Sequence, residues 1–381
     1  MVPRERAAEA SLILESVRTF ARNEVQPRAA EIDRTGEFPA DLVELMREYD
    51  LFALPFAVEH GGTGTGNLVF LNAIAELARV CATTALTLAL QDTGSLGLKL
   101  GGSHEQRSRY LPRLASGEWL CAYALTEPEA GSDAGNIRTE ARRVAGGYLL
   151  TGTKCFISNA GVASLYTVFA STGPRSISAF VVEADTPGFA VTRVEEKMGL
   201  KGQPTGELRF TDCFVPDANR LGAEGDGFRL AMRVLDRSRP GVAAQALGIA
   251  EGATEYALRY ATNRVAFGRP IIRHQLVAAL LADMRTRCVA ARLLVERVGR
   301  LLDDEVDGRP LTEAGAIAKL FASDAAVAVT NDAVQVLGGY GYLRDFPLER
   351  MLRDARVTQI YEGTNQIQRL IIAREMGRAA A

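Results

Sequence analysis

Through residues 1–119 the apolar positions recur every three or four residues, the spacing of helices with one buried face. Leu12, Leu14, Val17 and Phe20 form one such stripe, followed by Val25 ahead of Pro27. A second helix is predicted from Pro39 and Ala40, with Leu42, Leu45 and Met46 on one face. The run His60-Gly61-Gly62-Thr63-Gly64-Thr65-Gly66 breaks the pattern. It reads as an interhelical loop, because no GxGxxG follows a strand and opens a helix here. Residues 67–100 then read as long apolar helix, and Ser103 with Gln106 marks the capping box of another.

The period changes near Trp119. Short runs with β character at 148–150, 165–170, 177–182 and 208–210 are separated by turn residues, and Gly146-Gly147 is a tight turn between two strands. After Gly225-Asp226-Gly227 the helical pattern returns. Leu276, Leu280, Met284, Leu294, Val298 and Leu301 give residues 271–302 a sustained apolar face. Another helix opens at Thr312 and Glu313 after Pro310 and stops at Gly338-Gly339. The pattern thus predicts an α+β chain in three parts: a helical domain over 1–119, a β domain over 120–225 and a helical domain over 226–381.

Composition narrows the chemistry. The 381 residues carry 44 basic and 46 acidic side chains, a net charge of −2 that offers nucleic acid no attractive field. His60, His104 and His274 are far apart, and the five cysteines are odd in number with no CxxC pair. No metal site or disulfide framework is therefore expected, and the thiols should be reduced and mostly buried. The N-terminus lacks the apolar core of a secretion signal, and no apolar run reaches the roughly 20 residues of a membrane span. A soluble, cytoplasmic protein with no membrane or nucleic-acid partner is expected, one that does its chemistry with little histidine. Arginine outnumbers lysine 39 to five, a skew that compositional bias explains as well as anion binding does.

Five segments combine residue types that can carry chemistry. Residues 123–133, YALTEPEAGSD, leave a strand for a loop of small and hydroxyl residues, whose N–H groups with Thr126 and Ser132 suit a polar ring edge or a phosphate; an ordinary turn is the plainer alternative. Residues 152–160 end a strand with Phe156, Ile157 and Ser158. Arg264, just past a long helix, is placed either to clamp a diphosphate or to sit solvated at a helix end. Gln335 to Gly339 form a helix stop whose glycines permit close backbone approach. Lastly, Glu362 lies between Tyr361 and Gly363, where a carboxylate can be desolvated into a base; a charge near a helix N-terminus is the alternative.

Taken together and in this order, these blocks resemble the acyl-CoA dehydrogenase family, over nearly the whole chain from His60 to Arg374. The resemblance implies an N-terminal helical domain, a central β domain and a C-terminal four-helix bundle, usually in a homotetramer that binds FAD without a Rossmann fingerprint. It implies desaturation of an acyl-CoA thioester in fatty acid metabolism, Glu362 taking the α-proton, flavin accepting the β-hydride, and electrons passing to an electron-transfer flavoprotein. By the same resemblance the flavin ring is held by Tyr123, Leu125, Thr126, Gly131, Ser132, Phe156, Ile157 and Ser158, where serine replaces the commoner threonine. Arg264, Phe267, His274 and Gln275 match the diphosphate and adenine side. Gln335, Gly338 and Gly339 match a segment supplied by a neighbouring subunit, and Thr364 and Gln366 match further FAD contacts. Ser132, Asp236, Ser238, Arg239, Tyr361 and Gly363 are the implied substrate contacts. Some relatives place the base where this chain has Ser238, which cannot serve, so Glu362 is the expected base. A same-fold acyl-CoA oxidase or other flavin oxidase using O2, and a catalytically silent scaffold or assembly protein, are the alternatives. The acyl group stays open: short, medium, branched or aryl, on CoA or on a carrier protein.

Overall fold

A computed structural model gives the fold of residues 3–380. The chain begins with α1 (Pro3–Phe20), α2 (Ala29–Thr35), α3 (Ala40–Glu48), α4 (Asn67–Ala78), α5 (Ala82–Gly101) and α6 (His104–Ala115). The apolar stretch expected as one helix over 67–100 is two, because the chain turns at an extended Cys81. No glycine or proline marks that break, so the hydrophobic pattern runs through it. The capping box of α6 forms as its spacing predicts. The Gln106 N–H donates to Ser103 Oγ at 3.2 Å, and the Ser103 N–H donates to Gln106 Oε1 at 2.7 Å.

The middle of the chain forms one sheet from β1 (Cys121–Ala124), β2 (Glu140–Val144), β3 (Gly147–Ser158), β4 (Leu165–Gly173), β5 (Ser176–Glu183), β6 (Phe189–Val194), β7 (Thr205–Pro216) and β8 (Arg220–Leu221). The order is β6-β7-β3-β2-β4-β5-β8, with β1 running parallel beside β4. Two register shifts, at Leu150/Gly152 and Lys154/Ile157, bend β3 against β7. Such bulges re-aim side chains. Here Phe156, at a left-handed φ of 56°, is turned outward and 65% exposed, while Ile157 beside it is buried.

The C-terminal part contains α7 (Gly227–Asn263), the β9 (Val265–Ala266) and β10 (Arg269–Pro270) hairpin, α8 (Gln275–Asp303), α9 (Arg309–Leu337), α10 (Leu348–Val357) and α11 (Asn365–Ala380). α7, α8 and α9 pack on one another, and α10 and α11 lie against α9. One apolar core runs from α1, α4 and α5 into this bundle, so the first and last parts share an interior. α4 crosses α7 closely: a Cβ at Gly248 would lie 2.1 Å from the Ala75 carbonyl oxygen, and one at Gly252 equally near that of Arg79. The buried stripe of α8 is Leu281, Met284, Cys288, Ala291, Val295, Val298 and Leu302. The expected Leu276 is instead 84% exposed and Leu12 on α1 is 67% exposed, so both lie off the buried faces of their helices.

Candidate active site

Glu362 sits on the loop between α10 and α11, three residues before the first residue of α11 and thus outside its first turn. Glu362 and Gly363 both have left-handed backbones, at φ 55° and 85°. For a glutamate this conformation costs about 1–3 kcal/mol and persists only where the surroundings over-determine it. Those surroundings are buried donors. Gln368 Nε2 donates to the carbonyls of Glu362 (3.1 Å) and Gly363 (3.0 Å). Lys319 Nζ, from α9, donates to Gly363 O and to Asn365 Oδ1, each at 2.8 Å. Among the described residues the Glu362 N–H donates to no backbone carbonyl. Glu362 thus keeps a free N–H beside its carboxylate.

α7 supplies the other wall. Ser238 Oγ donates to Glu362 Oε2 at 2.6 Å. Two residues before Ser238, Asp236 pairs with the buried Arg239 and accepts from Thr312 Oγ1 at 2.7 Å. Burial raises the proton affinity of Glu362, while the Ser238 hydrogen bond and the Arg239 and Lys319 charges oppose it and Asp92 on α5 adds to it. Tyr123, at the end of β1, packs edge-on against Phe169 at 5.1 Å, and burial pushes its phenol well up, helped by the Glu362 charge. Tyr361 donates to Gln245 Oε1 on α7, and Gln245 Nε2 in turn donates to the Ala82 carbonyl at 2.9 Å. The structure therefore gathers Tyr123, Ser238, Arg239, Tyr361 and Gly363 around the Glu362 carboxylate, with Asp236 joined to them through Arg239. The Ser238 hydroxyl and both Asp236 oxygens are engaged within the chain.

The 123–133 loop is fastened to β3 by a buried ion pair. Lys154 Nζ donates to Glu127 Oε1 at 2.7 Å and to Leu125 O at 3.1 Å. Glu127 also accepts from the Arg138 and Thr139 N–H groups. The Cys155 N–H closes onto the Thr126 carbonyl at 3.0 Å. This leaves Thr126 and Ser158 half-buried and Gly131, Ser132 and Phe156 open, with Leu125 and Ile157 beneath them. An exposed aromatic beside hydroxyls and bare backbone is a fit for a planar heterocycle. Thr364 and Gln366 lie at the start of α11, where Thr364 Oγ1 accepts from the Ile367 N–H at 3.3 Å and Gln366 is exposed.

The remaining expected residues lie in a second place. Arg264, Gln335, Gly338 and Gly339 line a groove of about 380 Å³ with Tyr260, Tyr340 and Leu343, and no residue of β1 or β3 lines it. Arg264 lies over the Tyr340 ring at 5.6 Å. A Cβ at Gly338 or Gly339 would meet nothing within 4 Å, so the backbone there is open to a ligand. Phe267 is 95% exposed with its edge to His274, whose Nε2 contacts the Ala266 carbonyl at 3.0 Å, and Gln275 is exposed. Within one chain the residues expected at the flavin ring and those expected at the diphosphate and adenine thus form two separate surfaces.

These three domains each match a family model: the acyl-CoA dehydrogenase N-terminal domain over residues 7–118, the middle domain over 122–213 and the C-terminal domain over 225–377. The chain belongs to the acyl-CoA dehydrogenase family. It is an oxidoreductase acting on CH–CH donors, and its cofactor is FAD. An acyl-CoA dehydrogenase of Bacillus subtilis (strain 168) is 48% identical over 371 residues, 96% of this chain and 97% of the relative. The butyryl-CoA dehydrogenase structure from Megasphaera elsdenii superposes with a TM-score of 0.94 at 38% identity, covering 97% of this chain and 98% of that one. A chain solved in work on the electron transferring flavoprotein of Acidaminococcus fermentans and flavin-based electron bifurcation gives a TM-score of 0.95 at 41% identity, with the same coverage. Motif reading of this acyl-CoA dehydrogenase missed Lys319, Gln368, Asn365, Gln245 and Asp92. Only Lys319 carried a signal, as a lone lysine in an otherwise small and apolar stretch of helix.

Proposed function

We propose that the protein takes one hydrogen from each of Cα and Cβ of an acyl-CoA thioester, giving the trans-2-enoyl-CoA, with Glu362 as the base. The observation that carries this reading is the Glu362 carboxylate, held by Ser238 on a left-handed backbone where burial strengthens its hold on a proton. A base must be ionised at working pH yet accept a proton readily, and the opposed influences on Glu362 suit both needs. The free Glu362 N–H is the donor for the thioester oxygen, stabilising the negative charge that develops as the α-proton leaves. Asp236, Arg239, Tyr361, Gly363 and Ser132 position the rest of the thioester.

Bound FAD supplies hydride acceptance at the β-carbon. Tyr123, Leu125, Thr126, Gly131, Ser132, Phe156, Ile157 and Ser158 would hold its ring, with Thr364 and Gln366 nearby. Arg264, Phe267, His274, Gln275, Gln335, Gly338 and Gly339 would hold its diphosphate and adenine. The separation of these two surfaces supports a site completed by a second copy of the chain, in a homotetramer. Exposed apolar residues on the outer face of the bundle, Leu276, Leu293, Leu370 and Met376, support the same assembly. The likeness to a chain studied with an electron transferring flavoprotein supports such a protein as the electron acceptor. No helix among the described residues is long and apolar enough to cross a membrane, and all five cysteines are free and buried, which supports the cytoplasm as the compartment.

The test is the purified yellow protein given a chain-length panel of acyl-CoA thioesters and an artificial electron acceptor. Thioester-dependent acceptor reduction without matching peroxide is expected. Peroxide formed at the rate of substrate use would make the protein an oxidase, and a colourless, inert protein would leave only a scaffold.

A further inference from the structure

Lys319 is completely buried in the middle of α9 and forms no salt bridge among the described residues. Its contacts are directed at one place. Nζ donates to the Gly363 carbonyl and to Asn365 Oδ1, the two groups on either side of Thr364 in the base loop. Asn365 is itself clamped, donating to Ser323 Oγ at 2.9 Å and to Asp324 Oδ1 at 2.7 Å, and Asp324 also accepts from Gln359 on the approach to the loop. α9 therefore grips the loop at Gln359, Gly363 and Asn365, and the ammonium sits at the residue where the left-handed turn begins to unwind into α11.

From this geometry we propose that Lys319 is a positioning residue for the base: it fixes the Gly363 carbonyl, aims Glu362, and lends its charge to the Glu362 carboxylate. The proposal rests on Glu362 being the base. Burial brings the amine down to about 7; the Glu362 charge opposes that, Arg239 adds to it and Asp324 opposes it. The charged and titratable groups around the pair are Glu362 on the loop, Arg239 and Asp236 on α7, Asp324 on α9 with its partner Arg369 on α11, and Asp92 on α5 with Tyr123 on β1. Below neutral pH the protonated amine favours the ionised base. Removing that charge therefore raises the proton affinity of Glu362.

Two FAD-loaded variants separate aiming from charge. Lys319→Gln keeps a donor for Gly363 but no charge; its acidic limb of kcat/KM is expected to move to higher pH, with kcat at the plateau within about threefold of the parent. Lys319→Met loses both functions; kcat is expected to fall roughly 10- to 100-fold with KM for the thioester nearly unchanged, since a small misplacement of a reacting group costs that much. A Lys319→Gln holoenzyme whose pH profile superposes on the parent overturns the proposal, whether or not Lys319→Met folds. A Glu362→Gln control tells the two failures apart: if it is inactive while the Lys319→Gln profile is unmoved, only the role of Lys319 fails, and if it turns over normally the base assignment itself fails.

Discussion

At Glu362 burial favours the protonated carboxyl, while the Ser238 hydroxyl and the Arg239 and Lys319 charges favour the carboxylate. With Glu362 as the proposed base, the balance sets the pH at which it is ready. A hydrogen bond to a charged group contributes about 1.5–3 kcal/mol. Ser238→Ala should therefore move the acidic limb of kcat/KM to higher pH by about one to two pH units, because the lost bond had stabilised the ionised form. A pH–rate profile checks this, and an unmoved limb would mean that the 2.6 Å contact does not persist in the working enzyme. At this scale the sequence was informative where residue types are bound to a local block, as in Tyr361-Glu362-Gly363 and Thr126-Glu127-Pro128. It was silent on Gln368 and Asn365, whose roles depend on which carbonyl the fold brings to an ordinary amide side chain. It pointed to Ser238 as a substrate contact at the position where some relatives place the base, but not to its hydroxyl turned toward Glu362.

Among the elements, β3 and the 123–133 loop act as one unit because Lys154 and Glu127 are buried together. Burial brings Lys154 down to about 8, with Glu127 opposing. Glu127 is held below the ordinary carboxylate range: burial would raise it, but the Lys154 charge and the Arg138 and Thr139 contacts outweigh that. Its contribution to stability is thus present above the ordinary carboxylate range and lost as pH falls through the lower, folded value. Glu127→Gln strands a buried ammonium, and about 3–5 kcal/mol of stability should go with it. Urea unfolding measures the loss, and bound flavin should fall in parallel because Thr126, a proposed contact of the flavin ring, rides on the same loop. Unchanged stability would show that the amine neutralises at no cost. The elements themselves were partly legible, since the period of apolar residues is a local signal: the four β runs fall inside β3, β4, β5 and β7, and the α6 cap and the end of α9 fall where spacing places them, whereas β6 and β8 were not foreseen. The break between α4 and α5 and the bare faces of Gly248 and Gly252 were not. Both are set by how α4 crosses α7, and that crossing is a long-range fact with no local mark.

In the whole molecule one core joins the first and third parts while β1 and β3 of the sheet carry the 123–133 loop and Phe156, so Glu362 and Tyr123 come near each other from segments more than two hundred residues apart. The three-part order was visible in the changing period, and histidine scarcity already turned attention from imidazole to a carboxylate. What the chain alone could not reveal was that Arg264 and the Gln335–Gly339 turn share one groove away from β1 and β3. On the proposed homotetramer, that separation would make the assembly part of the chemistry and would cover the exposed Leu276 and Phe267. The central claim is that the half-buried Glu362 does the proton work of an FAD enzyme, and it is tested most directly by mixing Glu362→Gln holoenzyme with a saturated acyl-CoA that the parent oxidises and following bleaching of the flavin. The account predicts that flavin stays bound and that bleaching slows roughly 10²- to 10⁴-fold, the usual contribution of a positioned base. Bleaching at close to the parental rate, with flavin content unchanged, would contradict it.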